Sequence, residues 1–250
     1  MPTLDLGNFS LVDTLRCQRE LRGLGKNAKS MEIAARELVR FFYEETRDPA
    51  SGDRACALVR FYKTQAFGTL TPALQRFAGN LVGQNPIDEK TKCLVLLATV
   101  GDEPAWNSRH ESRGHQAIPL LSVEVVKQAP MIAQLINDFG FELSDVVESS
   151  SEILRNRAGK SYGVFHVPEA VGSPFIPAQS DFVAPHGVRS VLGFGGLLPA
   201  GDLFATIMFS RTHIPTATAD RFKTLALDVR SLLFLFRSDE VFADEKERRP

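Results

Sequence analysis

Cysteine is scarce in this chain, and the three present, Cys17, Cys56 and Cys93, are odd in number and far apart. No CxxC pair occurs, so the spacing for a zinc site or a dithiol redox centre is missing. Cys56 and Cys93 each lie in an apolar run, where a buried thiol behaves as a small hydrophobe. A surplus of charge is missing too, with 29 Lys and Arg against 30 Asp and Glu. That balance leaves no basic excess for a nucleic-acid backbone, and no block of like charge suits an anionic membrane surface. Apolar runs are short: the longest, Leu94 to Val100 and Leu232 to Phe236, fall far below the ~18 residues of a membrane span. Residues 1–9 lack a basic stretch followed by an apolar run, so no secretory signal is read there. These absences predict a soluble, cytoplasmic protein without nucleic-acid or membrane partners.

What is abundant is phenylalanine, 18 copies against three Tyr and one Trp. Each buried ring removes ~150–250 Å² from water, so this density reads as core and interface filling. The 250 residues suit one generous domain, or one domain with helical extensions.

Helical spacing appears first. Leu11, Val12, Leu15 and Leu21 lead to a stop at Gly23 and Gly25. A second helix begins behind Ser30 as N-cap, with Met31, Ala34, Ala35, Leu38, Phe41 and Phe42 on one stripe. Asp48-Pro49 and Ser51-Gly52 end it. Because both helices precede any strand signal, residues 1–48 are expected to lie outside the sheet's own core. ACALVRFY, Ala55 to Tyr62, reads as a strand. Thr71-Pro72 opens a short helix, and KCLVLLATV, Lys92 to Val100, has the near-continuous apolar character of a strand covered on both faces. A polar segment, residues 101–114, leads into a strand-like His115 to Leu120. A helix broken at Pro130 then runs from Ser122 to Phe139 and ends at Gly140. Residues 149–151 and the polar run behind them are expected to form a surface linker.

Tyr162 to Val167 reads as another short strand, and residues 168–181 as an apolar loop with three prolines. The clearest signal follows. Val188 to Phe194 and Leu203 to Ser210 are strands joined by turn chemistry at Pro199 and Gly201-Asp202. The second alternates Leu203, Ala205, Ile207 and Phe209 against Phe204, Thr206, Met208 and Ser210. A long helix carrying Phe222, Ala226, Val229, Leu233 and Phe236 closes the pattern. The pattern predicts an α+β fold, a mostly antiparallel sheet of five or six strands flanked by helices. Its organisation is a helical extension over 1–48, one domain over 49–236 and a charged, fraying tail over 237–250.

The stretch GVRSVLGFGGLLPAGDLFATIMFSRTHIPTATADRFKTLALDVRSLL resembles the end of a GAF domain, and the upstream order of elements extends the resemblance over roughly residues 30–236. WNSRHESRGHQAIPL, FHVPEAVGSPFIPAQ and SVLGFGGLLPAGDLFA resemble, more narrowly, a bacterial GAF-like sensory domain found N-terminal to histidine kinases and serine phosphatases. The resemblance implies a ligand pocket on one sheet face, a homodimer formed through terminal helices, and a kinase or phosphatase as output partner. The chain stops after the final helix, so it is either a stand-alone partner or the sensor of a longer protein.

Catalytic motifs fail on spacing. His110-Glu111-Ser112-Arg113-Gly114-His115 sets its histidines at i and i+5, whereas a metalloprotease helix needs i and i+4. Ser190 lacks the strained turn of a nucleophile elbow. No helix follows Gly193-Phe194-Gly195-Gly196, so those glycines read as close packing or a bulge rather than a phosphate loop. Cofactors are therefore not indicated.

Binding candidates are softer. Trp106, Asn107, Arg109, Arg113 and His115 share one loop. Its arginines either clamp a carboxylate or phosphate or pair with Asp102, Glu103 and Glu111 while Trp106 plugs the sheet edge. His166, Ser173, Gln179 and Asp181 frame the proline loop, which either lids a pocket or packs on the sheet, and Arg189 faces it. Phe41, Phe42, Leu233 and Phe236 are expected at an intersubunit helical bundle. The leading expectation is a non-catalytic sensor for a small ligand or partner. The alternatives are a GAF-fold, thiol-dependent methionine sulfoxide reductase, with Cys56 and Cys93 meeting across neighbouring strands, and a ligand-free interaction module whose sheet face is packed solid.

Overall fold

The computed structural model describes residues 3–83, 85–148, 162–237 and 240–243. The expected linker from 149 to 161 lies outside the described residues, as do 238–239 and 244–250 of the expected tail.

Six strands form one sheet in the order β3-β2-β1-β6-β5-β4. They are β1 Cys56–Ala66, β2 Lys92–Gly101, β3 Ala117–Pro119, β4 Tyr162–Val167, β5 Ser190–Leu197 and β6 Leu203–Ser210. Every pairing is antiparallel. Among the described residues the α-helices are α1 Leu11–Leu21, α2 Met31–Glu45, α3 Pro72–Val82, α4 Val123–Lys127, α5 Pro130–Asp138, α6 Leu143–Val147 and α7 Thr216–Leu233. This is the expected α+β architecture of a mostly antiparallel sheet flanked by helices. None of the helices is long and apolar enough to cross a membrane, among the described residues.

Local chemistry sets the boundaries. Ser10, Ser30 and Thr71 each accept a hydrogen bond from a backbone N–H of the helix they precede, which satisfies one of the free donors of the first turn. Gly140 (φ 84°) takes the left-handed conformation behind α5.

The sheet has a core on each face. On one, α2 covers β1 and β2, α7 covers β4 and β5, and α1 lies on α7. Ala34, Leu38 and Phe42 of α2 share a cluster with Val59, Phe61 and Phe194 of the sheet. The expectation that residues 1–48 lie outside the sheet's core is therefore corrected. The apolar stripe of α2 needs a partner, and the sheet's face supplies it. Phe42 and Leu233, expected between subunits, are fully buried within this core.

The tail is corrected in part. Met31 and Glu32 donate their backbone N–H groups to the Glu240 and Val241 carbonyls, so residues 240–243 complete the first turn of α2. Val241 and Ala243 are buried there.

On the opposite face, α5 and α6 stand over the sheet with the loop from 168 to 188 beside them. Gly163 and Gly195 are register partners on β4 and β5. A Cβ at Gly163 would lie 2.4 Å from the Phe139 Cα, and one at Gly195 2.0 Å from the Phe204 carbonyl oxygen. Gly195, expected to allow close packing, does so here, and Gly163 does the same beside it. They let the end of α5 rest on the backbone of the sheet and leave space farther along.

Candidate functional site: an apolar cavity with one cation on its floor

That space is a cavity of about 610 Å³, within the ~300–1,000 Å³ range of small-molecule sites. The alternation of two central strands makes its floor. β1 contributes Leu58, Arg60, Tyr62 and Thr64, and β6 contributes Leu203, Ala205, Ile207 and Phe209, the face expected from the pattern of that strand. Met131, Ile132, Leu135 and Ile136 of α5 form the roof. Ile176, Pro177 and Ala178 of the proline loop, with Asp181 and Phe182 behind them, close one side, so this loop does wall a pocket.

Aromatic packing fixes the far end. Trp106 meets Phe182 edge-on at 5.5 Å and His186 at 4.6 Å, and Phe182 stands at 88° to Phe209 with centroids 5.0 Å apart. Such tilted contacts suit the ring quadrupoles. They join the loop after β2 to the turn at Gln179–Val183.

The polar groups in the cavity are few. Arg60 Nη1 donates to the Tyr62 hydroxyl at 3.4 Å, and the Arg60 Nε is buried without a hydrogen-bond partner. Directly across the ladder stands Thr99, whose Oγ1 is likewise buried and unpartnered. His115 lines the cavity, although the residue as a whole keeps much of its surface exposed. Burial of the imidazole, and then the nearby Arg60 charge, push its pKa down to about 4, so it is neutral near pH 7.

The other expected site residues separate into distinct roles. Trp106, His115 and Asp181 line the cavity. Asn107 ties its own loop, accepting from the Gly101 N–H at 3.2 Å and donating to the Glu103 carbonyl at 3.1 Å. Arg109 points away and pairs with Glu32 at 2.9 Å. Neither it nor Arg113 pairs with Asp102, which bonds to Arg211 and to the Tyr43 hydroxyl. Arg113 and Arg189 are exposed and outside the cavity lining. Gln179 is consumed by the loop, donating to Ala170 and Ile176 carbonyls and accepting from the Gly172 N–H. His166 lies on the helix-covered face, between cavity-side neighbours Phe165 and Val167. There its Nε2 donates to the Ile214 carbonyl at 2.9 Å; burial lowers its pKa more than this bond raises it.

Arg60 was missed by reading the sequence for loops. Its signal was present: one cation at an inward position of the otherwise apolar and aromatic ACALVRFY.

The thiols do not meet. Cys93 stands opposite Gln65, nine residues along β1 from Cys56, roughly 30 Å at ~3.3 Å per residue. Both belong to the helix-covered core. Burial pushes each thiol up to about 12, far from a reactive thiolate. The expected approach of this pair is corrected. No group of three or more candidate metal ligands exists among the described residues.

No protein-family model matches the chain, and no curated protein is similar to it in sequence. Among solved structures, the free methionine-R-sulfoxide reductase of Neisseria meningitidis in complex with its substrate is similar over 93% of this chain and 96% of its own, with a TM-score of 0.46 and 12% identity. The GAF domain of a phosphoenolpyruvate-protein phosphotransferase from Coxiella burnetii is similar over 89% and 93%, with a TM-score of 0.39 and 14% identity.

Proposed function

We propose that this chain is a non-catalytic, cytoplasmic, GAF-like sensory domain that binds a small ligand in the cavity between the sheet and α5. The observation that carries this reading is the cavity itself. A sheet face with about 610 Å³ of lined space is built to take up a molecule, whereas a ligand-free interaction module would fill it with its own side chains. The route for a relay is short. The loop that supplies Trp106 and His115 to the cavity also supplies Arg109 to Glu32, and Glu32 accepts from the Ala243 N–H. Occupancy thus has a physical path to the C-terminal segment, and through it to a histidine kinase or serine phosphatase of the kind that follows the sensory domains its sequence resembles. Leu11, Val12 and Leu15 of α1, with Leu227, Phe234 and Leu235 at the other terminus, are exposed and suit a homodimer.

Uptake of the neutral dye Nile red tests the pocket. Fluorescence should rise on mixing with wild-type protein, and Ala205→Phe, which fills the floor, should abolish most of that rise. Equal uptake by A205F, or none by wild type, sinks the reading.

A further inference from the structure

The lining of the cavity is almost all carbon, yet a guanidinium stands on its floor. We infer that the ligand is a monocarboxylic acid with an apolar body, its carboxylate held by Arg60; this rests on the cavity being the sensory pocket.

Arg60 belongs to β1, one of the two innermost strands, so no sheet edge brings water to it. Of the buried cations, Lys63 and Arg109 have carboxylates at 2.6 and 2.9 Å, from Asp202 and Glu32, while Lys92, outside the cavity lining, has a buried Nζ without a hydrogen-bond partner. Arg60 has none within ion-pair distance among the described residues, and its single hydrogen bond is a long one to Tyr62. Arg60 is half-buried with its Nε covered, and a cation so placed without a counter-charge carries a desolvation cost. A folded chain that keeps one at the centre of an apolar cavity has a place prepared for an anion.

The shape of the vacant donors narrows the class. With Nη1 turned to Tyr62 and the Nε covered, the second Nη is the donor left to meet a carboxylate oxygen. The Tyr62 hydroxyl, which also lines the cavity, can donate to the same group. A dianionic phosphate wants a second cation. The lining offers none, because His115 is neutral and Asp181 brings a negative charge. The roof and floor, from Leu135 and Ile136 to Ala205 and Ile207, demand an aliphatic or aromatic body behind the carboxylate.

Competition against Nile red decides the matter, with decanoate, decanamide and decyl phosphate as probes. Wild-type protein should bind decanoate at least tenfold more tightly than decanamide, and more tightly than decyl phosphate. In Arg60→Gln, whose cooperative thermal unfolding reports an intact fold, the preference for decanoate over decanamide should disappear, with both probes competed against that variant's own dye affinity. Arg60→Lys, which keeps the charge but not the planar guanidinium, should lose only part of it. Equal binding of acid and amide by wild-type protein overturns the inference without any variant, as does tighter binding of the phosphate or an R60Q protein that still prefers the acid. Dye uptake with no acid preference leaves the pocket standing and removes the carboxylate; no dye uptake by wild type removes both.

Discussion

Arg109, in the loop after β2, reaches Glu32 in the first turn of α2 with its Nη2 2.9 Å from Oε2, and the two side chains are only 4% and 1% exposed. The Phe242 ring lies under the guanidinium at 5.3 Å, and the same Oε2 accepts from the Ala243 N–H at 3.1 Å. One carboxylate therefore ties together the loop of the cavity, a core helix and the C-terminal segment.

Breaking this pair leaves the buried Glu32 charge with only Arg36, 3.5 Å from its other oxygen and 36% exposed, as a counter-ion. Arg109→Met should cost about 3–5 kcal/mol, read from urea unfolding. Adding Glu32→Gln should cost much less than the sum of the two single changes, because the stranded charge is then gone. Hydrogen exchange in residues 240–243 should quicken in R109M at a denaturant concentration where the protein stays folded. Additive stabilities, or unchanged exchange there, would refute the coupling.

Phe139 closes on Gly163, and the contact leaves no room for a methyl group. Gly163→Ala must push the end of α5 off the sheet, at a cost of about 1–3 kcal/mol. The same shift should alter Nile red affinity, since Leu135 and Ile136 of that helix roof the cavity. Gly114→Ala, where an added Cβ meets nothing within 4 Å, is the control and should leave the unfolding midpoint within error.

The hairpin of β5 and β6 was readable because its information is local. Leu203, Ala205, Ile207 and Phe209 alternate with period two, and the side facing a core must be the same for all four. The stripe on α2 was equally plain, but a stripe states only that something covers it. That the cover is the sheet rather than a second subunit is a tertiary fact. Arg109 shows the same limit: its partner is 77 positions away, so proximity in sequence suggested Asp102, Glu103 and Glu111 instead. For the cavity, His115 and Trp106 were found because they stand in a polar loop where binding groups are sought. Arg60 was passed over inside a strand, although a cation with Leu58 and Tyr62 on its own face is the more unusual placement.

Function and stability should trade against each other at Arg60. Removing the guanidinium from a floor where its Nε has no partner relieves a desolvation cost in the ligand-free protein. Arg60→Met should therefore raise stability by about 1 kcal/mol, a rise of ~2–4 °C in Tm for a chain of this size, while decanoate binding is lost. A lower Tm in R60M would mean that Arg60 is already compensated within the fold.

His115 supplies a pH signature of the same arrangement. Its folded pKa, about 4, lies below the ordinary 6.5 because burial and the Arg60 charge disfavour the imidazolium. As pH falls through 6.5 the unfolded chain takes up a proton that the folded chain refuses until about pH 4. Stability therefore declines across that window and is fully retained above it. His115→Gln should flatten that part of the pH–stability curve. A carboxylate on Arg60 would offset the repelling charge and add an attracting one, so imidazole NMR should show the His115 pKa climbing towards 6.5 when decanoate is bound. A free-protein value already near 6.5 would contradict the geometry at once. A pKa of about 4 that ignores decanoate would place the acid somewhere other than Arg60, even if it displaced the dye.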